Sequence, residues 1–458
     1  MNYTNIRELI VEILIRVERE NAYLNILIQP YLNRSSIKSE DKALIQEITY
    51  GVTRFRKKID WIINQFLDNQ NKKLPLTIRN ILRIGVYQII FLNKIPDYAI
   101  GYESVELVKK SRYTGQSSLV NAVLRNIIRK SNDIHWPDIK QDPVKFISVF
   151  YSFPEWLIQR WLNRFGLDLC IRICQASNRK PNLTLRVNSL KISMPEMKIF
   201  FSESGISFKE GQHIPSESII LQEFLDIGQS AIYRNGLFSI QDESSSLASR
   251  LLNPSPGQTI IDMCSGPGGK TTHLAQLMQN QGRIIAFEKN QKRLKMVLNE
   301  CQRLGINIVT AVLNDSSQFY QDYLEKADKI LVDVPCSGTG VIRKKPDIKW
   351  KNLNNIRFKE LNQLQSGLLD VASRYLKPEG DLLYSTCSME REENDWIIKD
   401  FLEKNNQFTV QDTSSFVKKN SMIKYNTEIK QAIQLLPGYS GDNIDGFYMV
   451  KMQKKQLG

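Results

Sequence analysis

Two cysteines stand where their side chains could do chemistry. Asp333-Val-Pro-Cys336-Ser-Gly-Thr-Gly340 follows one strand-like run, and Ser385-Thr-Cys387-Ser388 follows the next, 387 − 336 = 51 positions on. A lone cysteine is usually a small buried apolar residue. Cys170, Cys174 and Cys301, with helical apolar neighbours, fit that description. Cys336 and Cys387 do not, because both lie in polar loop sequence at strand ends. A metal pair is disfavoured, since the chain has three His and none is near either cysteine in sequence. A thiol in such a loop is suited to nucleophilic catalysis, and Asp333 supplies a carboxylate beside the first of them.

A second constellation is Asp262-Met-Cys-Ser-Gly-Pro-Gly-Gly-Lys270-Thr271, which follows a strand-like run and opens a helix. Its glycines let the backbone approach a ligand, and the helix N-terminus offers amide donors. A phosphate-binding loop ending in Gly269-Lys270-Thr271 would need glycine where Cys264 stands. A dinucleotide fingerprint begun at Gly266 and Gly268 would need glycine where Thr271 stands. A nucleoside-type cofactor remains. Glu288 supports it, since it ends the following strand-like run about 20 residues on, where a carboxylate can take both ribose hydroxyls. The alternative is a tight strand-to-helix turn that binds nothing.

These residues must be positioned by alternating strands and helices. Strands are expected at Thr259–Met263, Arg283–Phe287, Ile308–Val312, Lys329–Val334, Asp381–Tyr384 and Phe447–Lys451. Helices are expected at Thr271–Asn280, Gln291–Leu304, Asn355–Leu376 and Arg391–Glu403. Such alternation makes a mostly parallel sheet with helices on both faces, whose ligands bind beyond the carboxyl ends of the strands. Before residue 240 lies a mixed segment, with a helix expected at Glu155–Phe165 and strands at Thr184–Val187 and Ser218–Leu221. A polar stretch, Asn132–Pro143, separates it from a helical first third. There Ile6, Leu9, Ile10, Ile13 and Val17 keep a helical period, as do Val120, Val123, Leu124, Ile127 and Ile128. Arg125, Arg129 and Lys130 fall off the second stripe, as a solvated face or one that meets RNA.

The chain has 458 residues, 42% of them hydrophobic, enough for two or three folded domains. Its formal net charge of +14 favours a polyanionic partner. Six cysteines without a CxxC pair argue against a disulfide scaffold or zinc knuckle. Glu8, Glu12, Glu18 and Glu20 argue against a transit peptide. The most apolar run, Ile81 to Leu92, is broken by Arg83 and Gln88 and is too short to span a bilayer. A soluble protein of the cytoplasm, or of an organelle that makes its own proteins, is expected.

Two thiols are useful in methylating a pyrimidine. C5 of cytosine is a poor nucleophile, and a thiolate that adds at C6 makes C5 enamine-like and able to attack a sulfonium methyl. A base must then take the C5 proton and the thiol must leave. Pro-Cys at 335–336 with Thr-Cys at 386–387, after a Pro-Gly-Gly-Lys-Thr loop, resembles the RNA cytosine-C5 methyltransferases. So do Gly340-Val-Ile-Arg-Lys-Lys-Pro-Asp-Ile-Lys-Trp350 and the closing Asp445-Gly-Phe447. The resemblance implies a Rossmann-like S-adenosylmethionine-dependent α/β domain, Cys387 as nucleophile, Cys336 as the thiol that aids product release, and Asp333 on the cytosine N3/N4 edge. It implies cofactor contacts at Cys264, Ser265, Gly266, Pro267, Gly268, Gly269, Lys270, Glu288, Asp315 and Asp333, and no metal. Ser265-Gly266 and Asn314 depart from the family's usual small pair and glycine, without removing a functional side chain.

Tyr50-Gly-Val-Thr-Arg54, Ile81-Leu-Arg-Ile-Gly-Val-Tyr87, Pro96 and Leu119-Val-Asn-Ala-Val-Leu-Arg125 resemble the NusB-type helical RNA-binding domain. That domain joined to this catalytic domain is the layout of the bacterial 16S ribosomal-RNA (cytosine-C5) methyltransferases of the RsmB/Sun/Fmu family. The implied division is 1–135, an all-α NusB-like domain; 136–240, a small mixed α/β segment; and 241–458, the methyltransferase domain. The implied partner is 16S ribosomal RNA, free or in an assembling small subunit, bound by a monomer without membrane or metal. Two other readings are an RNA-binding assembly or antitermination factor with vestigial catalysis, and a methyltransferase of the same fold acting on tRNA (a tRNA cytosine-C5 methyltransferase) or on protein.

Overall fold

The computed structural model describes residues 6–34, 36–67, 73–92, 95–222, 230–351, 353, 355–441 and 444–456. The chain divides into two compact units, 1–179 with 342–351, and 180–341 with 352–458.

The first unit is helical. Its helices are α1 (Ile6–Arg19), α2 (Leu24–Leu32), α3 (Ser39–Arg54), α4 (Arg56–Gln65), α5 (Leu76–Phe91), α6 (Asp97–Lys109), α7 (Ser117–Arg129), α8 (Pro143–Phe150) and α9 (Glu155–Asn178). The apolar stripes of α1 to α7 share one core, in which Leu9, Ile10, Ile13, Ile45, Ile59, Ile81 and Leu124 are all but fully buried. The expected stripe of α7 lies in it: Val120, Val123, Leu124 and Ile127 are buried and Ile128 half-buried, while Arg125, Arg129 and Lys130 are exposed. Each such aliphatic side chain contributes about 1.5–3 kcal/mol by leaving water. The apolar run through α5 is likewise core. Its Arg83 is buried and paired with Glu18 and Asp60, which offsets the cost of desolvating it. Among the described residues no helix is long and apolar enough to cross a membrane. The helix expected at Glu155–Phe165 continues past a break at Gly166, whose φ of 73° is left-handed, and carries buried Cys170 and Cys174 on its second half.

Residues 342–351 belong to this unit. Lys349 is buried there, and its three ammonium protons go to Arg54 O (3.1 Å), Ser152 O (3.0 Å) and Asn178 Oδ1 (2.6 Å). Its Nζ also lies 3.6 Å from the Phe153 ring centroid. Burial holds its pKa well below the ordinary lysine value. Arg54 donates to Arg343 O, Trp350 Nε1 donates to Thr53 O, and Arg56 stacks on Trp350. Removing the helical third would strip this segment of its partners, so the cationic face of α7 is better tested by substitution. Replacing Arg125, Arg129 and Lys130 by Ala together is expected to weaken RNA binding. It should also flatten the dependence of log affinity on log salt by roughly 0.7–0.9 for each phosphate that is no longer neutralised. Fluorescence anisotropy over a salt series checks this, and an unchanged slope would make that face merely solvated.

The second unit begins with β1 (Leu183–Val187), α10 (Met194–Glu203), β2 (Phe208–Glu210), β3 (Ser218–Leu221), α11 (Ala231–Arg234) and β4 (Phe238–Ile240). The four strands form an antiparallel sheet in the order β2-β3-β1-β4. Next come α12 (Glu243–Leu252), β5 (Thr259–Asp262), α13 (Gly269–Leu277), β6 (Arg283–Glu288), α14 (Gln291–Leu304), β7 (Val309–Leu313) and β8 (Ala327–Asp333). The chain ends with α15 (Asn355–Tyr375), β9 (Leu376–Thr386), α16 (Asp395–Lys404), β10 (Phe408–Val410), α17 (Ser414–Lys419), β11 (Ile433–Leu435) and β12 (Phe447–Lys454). The large sheet runs β10-β12-β9-β8-β5-β6-β7, with β11 on β12. β7, β6, β5, β8 and β9 are parallel, and β12 enters antiparallel to β9. Its central strands are apolar on both sides, and two cores flank the sheet. Each expected strand and helix of this part is present, within a few residues at most ends. α10, α11, α12, α17, β2, β4, β10 and β11 are additional. α16 starts at Asp395, later than the expected Arg391, because Arg391–Glu393 forms a 3-10 turn.

Candidate active site

The expected site residues gather at the carboxyl end of the parallel strands. β5 ends in Asp262, whose carboxylate accepts Thr271 Oγ1 (2.7 Å) and the Cys264 N–H (3.3 Å). Burial pushes the Asp262 carboxyl up to about 6. The loop is tied to β6 by Ser265, whose N–H and Oγ both donate to Phe287 O. Gly266 faces the carboxylate that ends β6, and any Cβ there would collide with Glu288 Oε2. Glu288 itself is buried, accepts the Asn290 N–H at 2.9 Å and lies 3.5 Å from Arg293 Nε. Arg293 also donates to Gly266 O, so it spans loop and carboxylate.

Behind the loop, on the expected strand at Thr184–Val187, stands a supporting residue that the sequence does not single out. Arg186 of β1 is fully buried and donates to Gln276 Oε1 (2.9 Å), Gly269 O (2.8 Å), Thr272 Oγ1 (3.1 Å) and Gln241 Oε1. Burial lowers its pKa to about 9. The small sheet thus grips the first turns of α13. An arginine in a strand-like run gives no sign in sequence that its partners on α13 lie 83 to 90 positions away.

A cavity opens between Cys264, Glu288, Asp315, Pro335, Leu364 and Leu368. Its lining combines the carboxylates Glu288 and Asp315, the cations Lys289 and Arg293, and apolar side chains. Asp315 also accepts the N–H and Oγ of Ser317, and the hydroxyl hydrogen bond holds its pKa below the usual carboxylate value. Of the expected cofactor contacts, Cys264, Glu288 and Asp315 line this cavity, while Ser265, Pro267, Gly268 and Gly269 shape the loop beside it. Lys270 points elsewhere, as an ion pair with Asp333 (2.7 Å) above the Phe447 ring. A broader concavity of about 550 Å³ between Lys191, Arg234 and Arg303 holds none of the expected residues.

β8 and β9 are parallel neighbours with Asp333 opposite Ser385. The two cysteine loops therefore leave the sheet side by side, and Cys336 Sγ lies 3.3 Å from Cys387 Sγ. Asp333 accepts Ser385 Oγ at 2.8 Å in addition to Lys270. The hydrogen bond to Cys387, then burial, then the charges of Cys387, Glu393 and Asp333, hold the Cys336 thiol pKa well above its ordinary value. Gly340 N–H donates to Cys387 O, and Gly446 N–H donates to Gly340 O. A Cβ on either glycine would meet the other's backbone, which explains the glycine in Asp445-Gly-Phe447. Among the described residues no cluster of His, Cys, Asp and Glu could hold a metal.

Known proteins share this arrangement of domains. Residues 249–453 match the family model "16S rRNA methyltransferase RsmB/F", 4–129 match the NusB family, and 153–228 match the ferredoxin-like domain of RsmF/B-like methyltransferases. The probable ribosomal RNA small subunit methyltransferase B of Bacillus subtilis (strain 168) is 33% identical over 457 residues, covering 99% of this chain and 100% of that protein. The chain belongs to the ribosomal RNA small subunit methyltransferase B family. Among solved structures, PH0851 is 26% identical with a TM-score of 0.79 and covers 98% of both chains. A methyltransferase homolog protein from Pyrococcus horikoshii is 30% identical with a TM-score of 0.58, covering 68% of this chain and 99% of that one. The family's methyltransferase model covers the sheet that carries both thiols in the second unit, together with residues 342–351 of the first, and its NusB-type model falls on α1–α7 of the first. Membership in the small subunit methyltransferase B family makes this a Rossmann-like methyltransferase with a helical NusB-like domain.

Proposed function

We propose that this chain transfers a methyl group from S-adenosylmethionine to C5 of a specific cytosine in 16S ribosomal RNA, through a covalent bond between Cys387 and C6. The observation that carries this reading is the 3.3 Å thiol pair beside the Lys270–Asp333 ion pair. S-adenosylmethionine supplies an electrophilic sulfonium methyl. The site fits it: Glu288 can accept the ribose hydroxyls in place of Arg293, and Pro335, Leu364 and Leu368 offer an apolar slot for the base. Cys387 adds to C6 as the thiolate. Asp333 accepts the exocyclic N4 protons, and Lys270, sharing its proton with that carboxylate, offsets the charge that builds on the ring. Once C5 is methylated, Cys336, acting as thiolate, takes the C5 proton; the electron pair of that C–H bond re-forms C5=C6, the C6–S bond breaks, and Cys387 is released as thiolate.

The functional division we assign is 1–135 for RNA binding, 136–240 for RNA recognition and 241–458 for catalysis, in a monomer. The name of the Bacillus relative supports small-subunit RNA as substrate, and the assembled thiol pair speaks against vestigial catalysis. Calorimetry is expected to show binding of S-adenosylmethionine and none of NAD or ATP, and selective binding of either of those would overturn the cofactor assignment. Bisulfite mapping of RNA from cells lacking the protein should show one 16S cytosine losing its methyl group. A loss in tRNA would make this a tRNA enzyme.

A further inference from the structure

The 3.3 Å approach of two sulfurs carried on separate loops needs a cause, and strand pairing ends before it, at Asp333 and Ser385. Beyond the strands the two loops touch directly, through Gly340 N–H to Cys387 O, Met389 N–H to Thr339 Oγ1 (2.9 Å) and the Ser337 and Ser388 hydroxyls (3.1 Å), and the residues that follow both cysteines converge on Glu393, which is fully buried. Its Oε1 accepts the Ser337 N–H (2.8 Å) and Gln365 Nε2 (3.1 Å). Its Oε2 accepts Ser337 Oγ (2.5 Å) and Ser388 Oγ (2.5 Å). Ser337 follows Cys336 and Ser388 follows Cys387. Gln365 also donates to Pro335 O, directly before Cys336 (2.9 Å). The Glu393 carbonyl accepts Tyr384 Oη, and Asn394 accepts Thr386 Oγ1 while donating to Ser388 O.

We propose that Glu393 is a positioning residue for the thiol pair: its buried carboxylate fastens the Cys336 loop to the Cys387 loop and so sets the distance between the two sulfurs. The inference rests on the proposed covalent mechanism for its purpose and on geometry for its substance. A buried carboxylate is costly and is tolerated when hydrogen bonds satisfy it. Here no lysine, arginine or histidine among the described residues pairs with it, and the donors it collects come chiefly from the residues beside the two cysteines. A simple core position would be filled more cheaply by an apolar side chain. The charge of Glu393 also adds to the influences that raise the Cys336 thiol pKa.

The test compares Glu393→Gln, Glu393→Asp and Ser388→Ala with wild type in the full chain. Phenylarsine oxide, which needs two neighbouring thiols, reports the spacing without any turnover, and peptide mass mapping identifies Cys336 and Cys387 as its site. Glu393→Gln places an amide N–H₂ where four donors converge. It is expected to lower arsenical capture at that pair and to cut the single-turnover methylation rate by about tenfold to a hundredfold, the usual cost of a misplacement near 1 Å. The KM for RNA and the calorimetric affinity for S-adenosylmethionine should stay within about threefold of wild type, since neither ligand touches this carboxylate in the proposed mechanism. Glu393→Asp should recover part of both losses, and Ser388→Ala, which removes one donor, should fall between. Wild-type capture and rate in Glu393→Gln would overturn the proposal. So would parallel loss of cofactor affinity in all three variants, which would make Glu393 a general prop of the fold. If wild type itself fails to methylate while capture still depends on Glu393, the positioning role stands and the proposed reaction falls.

Discussion

Cys387→Ala is expected to lower methyl transfer by at least about a thousandfold, with cofactor affinity left near wild type. Without addition at C6, C5 remains unreactive toward the methyl donor, and no other group at the site can take that place. Cys336, 3.3 Å away, has its thiol pKa raised by the hydrogen bond to Cys387, by burial and by nearby charges. Removing Cys387 deletes its hydrogen bond and its charge but leaves the burial and the carboxylates Glu393 and Asp333. Cofactor affinity should survive because Cys387 does not line the cavity formed by Glu288, Asp315 and Leu368. Single-turnover methylation with labelled cofactor, beside calorimetry on the same sample, checks both halves. Substantial methylation by Cys387→Ala would remove the nucleophile from this account.

Asp333→Ala should cost about a hundredfold to ten-thousandfold in single-turnover rate, the range for loss of a positioned acid–base partner. Two effects combine. The cytosine N4 edge loses its acceptor, and Lys270 Nζ, which lies only 2.7 Å from Asp333 Oδ2, loses its counter-charge in a largely buried position. The neighbouring Ser385 Oγ, which donates to Asp333 Oδ1, loses its acceptor too. Asp333→Asn keeps the shape but gives up the charge, so it should recover little activity. A Lys270→Ala variant with a similar loss, and a double variant no worse than either single one, would show the pair acting as a unit. A rate for Asp333→Ala within a few fold of wild type would contradict the assignment.

Much of this site was legible in the sequence because its residues lie at strand ends, where periodicity stops and polar loops begin. Cys336, Cys387 and Glu288 announce themselves in that way, while Asp315 comes only with the family resemblance, and the sheet that brings them together is written in runs such as Ile284 to Phe287 and Ile330 to Val334. The supports were not legible. Glu393 reads as one of several acids opening a helix, with Glu390 and Glu392 beside it, and only the 3-10 turn at Arg391–Glu393 aims it inward. Arg186 and Lys349 read as ordinary strand and loop cations, since burial by distant partners leaves no local pattern. Lys270 reads as a member of the cofactor loop, yet its ammonium reaches across to Asp333, 63 positions on. Long-range hydrogen bonds of side chains, unlike apolar periodicity, have no signature at short sequence separation.

The central claim is that the two thiols divide attack and release, and trapping tests it most directly. Cys336→Ala keeps Cys387 and everything needed for addition and methyl transfer but lacks the group assigned to release. Incubated with S-adenosylmethionine and end-labelled 16S RNA and run on a denaturing gel, Cys336→Ala should leave labelled RNA covalently attached to protein. Cys387→Ala should leave none, and wild type little. A covalent band with Cys387→Ala and none with Cys336→Ala would reverse the two roles. No band with either variant, while wild type methylates normally, would contradict the stalled-release account.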